Sequence, residues 1–147
     1  MDAVPVAVMR YLAGHGLPPS AAVETTPSLK ALDWTGLEVS TALVPDQPAA
    51  VGRALWGVAE SGSMIVHSGA DTPILLSFLP LYHIMVLAEA DILPHLEDYA
   101  ARMAEQPHPR NAILITGPSG TTDIEGSYVR GAHGPGFLHV ILVAAAS

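Results

Sequence analysis

Apolar positions along this chain recur at two periods, and the switches between them divide it into alternating helices and strands. Val4, Val8 and Leu12 fall on one helical face, with Pro5 in the first turn and Gly14 and Gly16 behind them, which predicts a short amphipathic helix over residues 4–13. A Leu17-Pro18-Pro19-Ser20 break follows, and the run at 37–44, rich in Val, Leu and Thr, predicts a strand. Residues 45–52 read as a loop or a short turn of helix. Two short strand pieces, 54–59 and 64–67, are joined around Glu60-Ser61-Gly62-Ser63, where glycine permits a sharp bend.

The near-continuous apolar run at 83–88 has the pattern of a strand covered on both faces. With Asp91 as N-cap, Ile92, Leu93, Leu96, Ala100 and Met103 share one face of a predicted helix, Glu97, Asp98 and Arg102 turn outward, and Pro107 and Pro109 stop it. A buried strand at 111–116, a Gly-Pro loop opening a short helix near Thr122, and a strand at 137–144 complete the chain. This alternation implies an α/β fold in one domain over residues 1–147: an open, mostly parallel sheet with helices on both faces and right-handed crossovers. Ligands of such sheets sit beyond the carboxyl ends of the strands. Three loops have the composition of that rim: 60–63, 117–123 and 131–136.

Composition removes several function classes. A chain of 147 residues buries about 68–70% of its unfolded surface, so no metal or disulfide staple is needed. Six basic against 14 acidic residues give a net charge of −8, which repels polyanions and excludes nucleic acid as a partner. The absence of Cys excludes disulfides, a thiolate nucleophile and a thiolate-held cluster. Asp2, Pro5 and Arg10 interrupt what would be a secretory signal, so the expected compartment is the cytoplasm. The most membrane-like stretch, 74–88, is shorter than the roughly 20 residues needed to span and contains Pro80 and His83.

Candidate chemistry gathers in the three loops. Gly117-Pro118-Ser119-Gly120-Thr121-Thr122-Asp123 follows a strand, and its backbone N–H groups suit an anion, but the only lysine is Lys30, so this is no Walker loop. The local reading of the same segment is a capping box, Thr122 with Glu125 three residues on and Asp123 in the first turn. Glu60, beside glycine between two strand pieces, is placed either as a nucleophile or general acid/base, or as a carboxylate that caps a turn or faces water. His133, in Gly131-Ala132-His133-Gly134-Pro135-Gly136, has no packing environment and suits proton transfer or ligand binding. His139, in an apolar strand, reads as a core histidine. No spacing among these groups supports a metal, and no cofactor is expected.

Four segments, WGVAESGSMIV, LSFLPLYHIMVL, ILITGPSGTTDIEG and VRGAHGPGFLHVILV, resemble in order and spacing the signatures of the LUD domain, the domain of lactate-utilisation protein C. The resemblance covers about residues 54–143, with residues 1–53 a shortened, divergent N-terminal part. It implies a Rossmann-like fold similar to the sugar-phosphate isomerase and coenzyme A transferase superfamily. It also implies an accessory role in cytoplasmic oxidation of L-lactate to pyruvate, beside iron–sulfur partner proteins. Glu60-Ser61-Gly62 is similar to the segment that supplies the acyl-accepting carboxylate of coenzyme A transferases, which makes acyl transfer at Glu60 the rival reading. The rim formed by Glu60, Asp123 and His133 is expected to bind a small carboxylate or acyl ligand or a partner subunit, with Ser61, Gly62, Gly117, Ser119, Thr121 and Gly134 of the three loops completing the binding set. The family pattern has basic residues where this chain has Gly120 and Gly136, and ahead of the segment at 77–80, so cations suited to gripping a carboxylate are missing from the rim. A third reading is a structural or regulatory homodimer, with Phe78, Leu79, Leu81 and Tyr82 in the interface.

Overall fold

The computed structural model describes residues 1–42, 44, 47–122 and 124–144. Its elements in chain order are α1 Val4–Gly14, β1 Ser20–Val23, α2 Pro27–Lys30, β2 Glu38–Ser40, β3 Ala49–Arg53, β4 Trp56–Val58 and β5 Ser63–His67. A 3-10 turn at Ile74–Ser77 then leads to β6 Tyr82–Ala88, β7 Ile92–Leu93, α3 Leu96–Met103, β8 Ala112–Ile115, β9 Gly120–Thr122, β10 Tyr128–Arg130 and β11 Phe137–Val143. Five strands form a sheet in the order β11-β6-β3-β1-β2, and every pairing in it is parallel. The expected open parallel sheet is therefore present.

One face of this sheet is covered by helices. Val4, Val8 and Leu12 of α1 and Leu29 of α2 pack on Ala21, Val23, Ala49, Val51, Ile84 and Val86. The glycines expected to end α1 do so: Gly16 has φ +65, its N–H donates to Ala13 O, and Leu17 N–H reaches back to Leu12 O at 2.9 Å. The other face is covered chiefly by a second sheet, β7-β4-β5-β8. Met64 and Val66 of β5 pack there on Met85 and Leu87 of β6, and α3 lies on the outer side, where Tyr99 Oη meets His67 Nε2 at 3.0 Å. The segment 74–88, with its membrane-like hydropathy, is the 3-10 turn and β6, and no helix among the described residues is long and apolar enough to cross a membrane.

Several expected elements differ. Residues 49–52, part of the segment 45–52 read as a loop or a short turn of helix, belong to β3 Ala49–Arg53, the middle strand of the parallel sheet; Ala49, Ala50, Val51 and Gly52 are all buried, and their small side chains gave no strand signal. Only Glu38–Ser40 of the run at 37–44 is paired, and Leu43 lies outside the described residues. Asp91 is not a helix N-cap: Ile92–Leu93 pairs in parallel with β4, and α3 begins at Leu96 with His95 as its N-cap. No helix begins at Thr122. Gly120–Thr122 pairs antiparallel with Tyr128–Arg130, and Gly126, at φ +84, lies in the turn between them. The strand at 111–116 belongs to the second sheet, antiparallel to β5.

Because Leu12 is 1% exposed and sits where α1 meets the sheet, Leu12→Ala is expected to lower stability by about 2–5 kcal/mol in urea unfolding. Val6→Ala, on the exposed face of α1, is expected to change it by less than about 0.5 kcal/mol.

Candidate functional site

Strand direction decides where the loops lie. Residues 131–136 precede β11 and residues 78–81 precede β6, and Phe137 N–H donates to Leu81 O at 2.9 Å. The loops at 117–119 and 131–136 therefore meet at the amino end of the parallel sheet, opposite to the carboxyl rim expected from the strand order. Ser119 ties them together. Its N–H donates to Pro135 O at 2.7 Å, its carbonyl accepts from Gly131 N–H at 2.9 Å, and its Oγ accepts from His133 N–H at 3.3 Å. A cavity of about 160 Å³ results, lined by Phe78, Thr116, Gly117, Ser119, His133 and Gly134. That is below the roughly 300–1,000 Å³ of sites for drug-sized ligands.

Four predicted residues, Gly117, Ser119, His133 and Gly134, are thus brought to one cleft. Thr121 lies in β9 opposite Val129, and Asp123 lies outside the described residues. The positions where the family resemblance implies cations are filled by neighbours. A Cβ at Gly120 would strike the Tyr128 hydroxyl, and a Cβ at Gly136 would stand 2.9 Å from Arg130 Cγ. Arg130 reaches across from the hairpin, with its guanidinium carbon 4.8 Å from the centre of the Phe137 ring. His139 is removed from this cleft, stacked on Tyr11 at 4.2 Å on the helical face.

The turn at 60–63 touches the cleft through hydroxyls. Ser61 Oγ lies 2.8 Å from Ser63 Oγ, which lies 2.8 Å from Thr116 Oγ1. Beyond this row Gly62, Ser63 and Thr116 border a second cavity of about 200 Å³, walled by Gly57, Leu87, Ile92, Leu138 and Val140. Glu60 points elsewhere. Its Oε1 accepts Leu96 N–H at 2.7 Å and its Oε2 lies 3.0 Å from His95 Nδ1. The Leu96 bond and then the His95 bond hold the Glu60 carboxyl below its ordinary pKa, and the same contact raises His95. This carboxylate holds the first turn of α3. To attack an acyl group it would first have to release that helix end, and it does not share the cleft of His133.

A pair that received no role from the sequence lies inside the sheet. Glu24, directly after β1, is 2% exposed and its Oε2 accepts the Arg53 N–H at 2.8 Å. His83, in β6, is fully buried, and neither ring nitrogen has a hydrogen-bond partner among the described residues. Both side chains border the space over Gly52 of β3. A Cβ there would lie 2.9 Å from Glu24 Oε1 and 3.2 Å from His83 Nε2, so glycine makes the room for both. One signal for His83 was legible: a histidine within a run covered on both faces must be buried.

Comparison with known proteins places the chain. The model of the LUD domain matches residues 47–143. The chain belongs to the LUD-domain family. It is 39% identical over 83 residues to lactate utilization protein C of Geobacillus sp. (strain WCH70), an alignment covering 53% of this chain and 34% of that protein. It is 36% identical over 87 residues to the uncharacterized protein YkgG of Escherichia coli (strain K12), covering 56% and 38%. The match thus spans little more than a third of the length of these curated relatives. A crystal structure of a DUF162 family protein from Deinococcus radiodurans superimposes with a TM-score of 0.63 at 21% identity, covering 98% of this chain and 84% of that one, which shows a shared fold. The loop cleft, Gly52 and His83 all lie within the LUD match, whereas Glu24 precedes it.

Burial acts in opposite senses on the two groups that this LUD domain encloses. Desolvation pushes Glu24 up to about 7 and His83 down to about 4, so both are neutral between those values. The raised Glu24 contributes stability that is fully present below about 4.5 and lost as pH rises through about 7. The lowered His83 contributes stability present above about 6.5 and lost as pH falls through about 4. The two gradients oppose each other and nearly cancel between about 4.5 and 6.5. Each single replacement exposes the other gradient, of about 3 kcal/mol. Urea unfolding from pH 4 to 8 is expected to show Glu24→Gln losing stability toward acid and His83→Gln losing it toward alkali. Parallel profiles for the two variants would refute the assignment.

Proposed function

We propose that this LUD-domain protein is an accessory component of lactate utilisation in the cytoplasm, and that it docks an iron–sulfur partner protein at the loop cleft. The observation that carries the reading is a set of exposed apolar side chains at the cleft: Leu75, Phe78, Leu79 and Leu81 are between 42% and 63% exposed, Phe78 lines the cleft with Ser119, His133 and Gly134, and Leu81 lies against Gly131 and Gly136. Exposed apolar side chains beside a hollow suit a protein partner better than water. The printed names of the relatives supply the process, lactate utilisation. The chain has no cysteine to hold a cluster, so an iron–sulfur centre working with it would sit on another protein.

The test is capture of partners by the tagged chain from cells grown on lactate, scored by iron and acid-labile sulfide in the eluate. The natural chain is expected to retain an iron–sulfur protein and Leu79→Glu, which places a charge among these side chains, to lose at least about tenfold of it. Capture of no iron–sulfur protein by the natural chain would remove the proposal.

A further inference from the structure

The opposite end of the parallel sheet holds a cavity of different chemistry. In the order β11-β6-β3-β1-β2 the chain leaves β1 in one direction for β2 and returns on the other side of β1 for β3. Open α/β sheets admit ligands beyond the carboxyl ends of their strands. A cavity of about 290 Å³ lies at this end, lined among others by Ser28, Arg53, Ala88, Ala90 and Val143. Arg53, Ala88 and Val143 are the last residues of β3, β6 and β11, and Ser28 stands on α2, just past β1.

Arg53 is built into this place from both ends. Its backbone N–H is held by the buried Glu24 carboxyl, and one guanidinium nitrogen donates to Ser28 Oγ at 3.0 Å. Another nitrogen meets Asp91 Oδ2 at 3.3 Å, with both side chains about one-third exposed. Charge-assisted bonds of this kind usually span about 2.7–2.9 Å, so the Asp91 contact is a loose one that a better-shaped anion can displace. The guanidinium is a planar fork matched to a carboxylate. Its neighbours Ala88, Ala90 and Val143 offer an apolar wall for a short carbon chain.

No other described cavity combines these features. The loop cleft has hydroxyls and His133 but no lysine or arginine among its lining residues. The groove beside Ser68, Ile74 and Asn111 is lined by Arg110, but that residue is exposed on the loop ahead of β8. We infer that the cavity at Arg53 binds a small organic carboxylate, which displaces Asp91 from the guanidinium and receives a further hydrogen bond from Ser28. The inference is independent of docking at the loop cleft, which lies at the other end of the sheet.

The experiment is titration of the full chain with L-lactate, pyruvate and inorganic phosphate, followed by calorimetry and by amide chemical shifts. Saturable binding of at least one of the two acids is expected, with the largest shifts at Ser28, Arg53 and Ala90. Arg53→Lys, which keeps the charge and removes the fork, is expected to weaken it about tenfold. Asp91→Asn is expected to strengthen it, because the internal competitor loses its charge, and Ser28→Ala to weaken it. If Arg53→Lys fails to fold, the opposite effects of the Asp91 and Ser28 variants carry the test alone. Absence of saturable binding by either acid, shifts centred on Ser119 and His133, or phosphate binding as tightly as the acids would each overturn the inference.

Discussion

Five parallel strands with no antiparallel member must be covered on both faces, and this requirement organises the whole molecule. The chain meets it asymmetrically. A helical layer of α1 and α2 closes one side, where the sheet presents Val23, Val51, Ile84 and Val86. On the other side the sheet offers Ala22, Ala50 and Gly52, residues too small to fill a helix–sheet gap, and the covering layer is another sheet together with Leu76 of the 3-10 turn. The same small residues create the space in which Glu24 and His83 are enclosed.

Enclosing two titratable groups is costly only when they are charged. Here each takes its neutral form over the range in which the other also does, so the interior of a strongly acidic protein contains an acid and a base without a buried charge. The arrangement depends on strand order. β3 lies between β1 and β6, so a glycine on β3 is the one position that both the residue after β1 and a residue of β6 can overhang. The Glu24 carboxyl, in turn, fixes the backbone of Arg53 at the strand end, which links the interior to the carboxyl edge.

Legibility in the sequence followed side-chain size and range of contact. The α1 helix, β6 and β11 were readable because large apolar residues marked their period and glycine or proline marked their ends. β3 was not, since Ala49-Ala50-Val51-Gly52 carries the signature of a loop and becomes a strand only because two neighbours pair with it. Thr122 and Glu125 have capping-box spacing, yet pairing with Tyr128–Arg130 takes precedence over that local signal. For the site, the composition of the loops identified Gly117, Ser119, His133 and Gly134 as neighbours, a relation that Ser119 enforces through three hydrogen bonds. The edge of the sheet that they occupy follows from chain order, since residues 131–136 precede β11 as 78–81 precede β6, and the general expectation of a carboxyl rim passed over that order. Glu60 shows the converse: the sequence offered a turn-capping carboxylate and a catalytic one, and its two bonds at the start of α3 give it the first of these roles.

The two ends of the sheet have consequently diverged in character. At the amino end, cations implied by the family pattern are absent at Gly120 and Gly136, and the guanidinium of Arg130 lies over the Phe137 ring. What is left there is a hollow lined by Phe78, Ile113 and Ile115 as well as by Thr116, Ser119 and His133, with no lysine or arginine among its lining residues. At the carboxyl end a strand-borne guanidinium survives beside a hydroxyl and a displaceable carboxylate. A loop can lose its cations without disturbing the fold, whereas Arg53 closes the middle strand and is tied by its backbone to Glu24, so its position is fixed by the same packing that holds the sheet together. In a chain of net charge −8, that structural anchoring is what keeps one anion-attracting group in place.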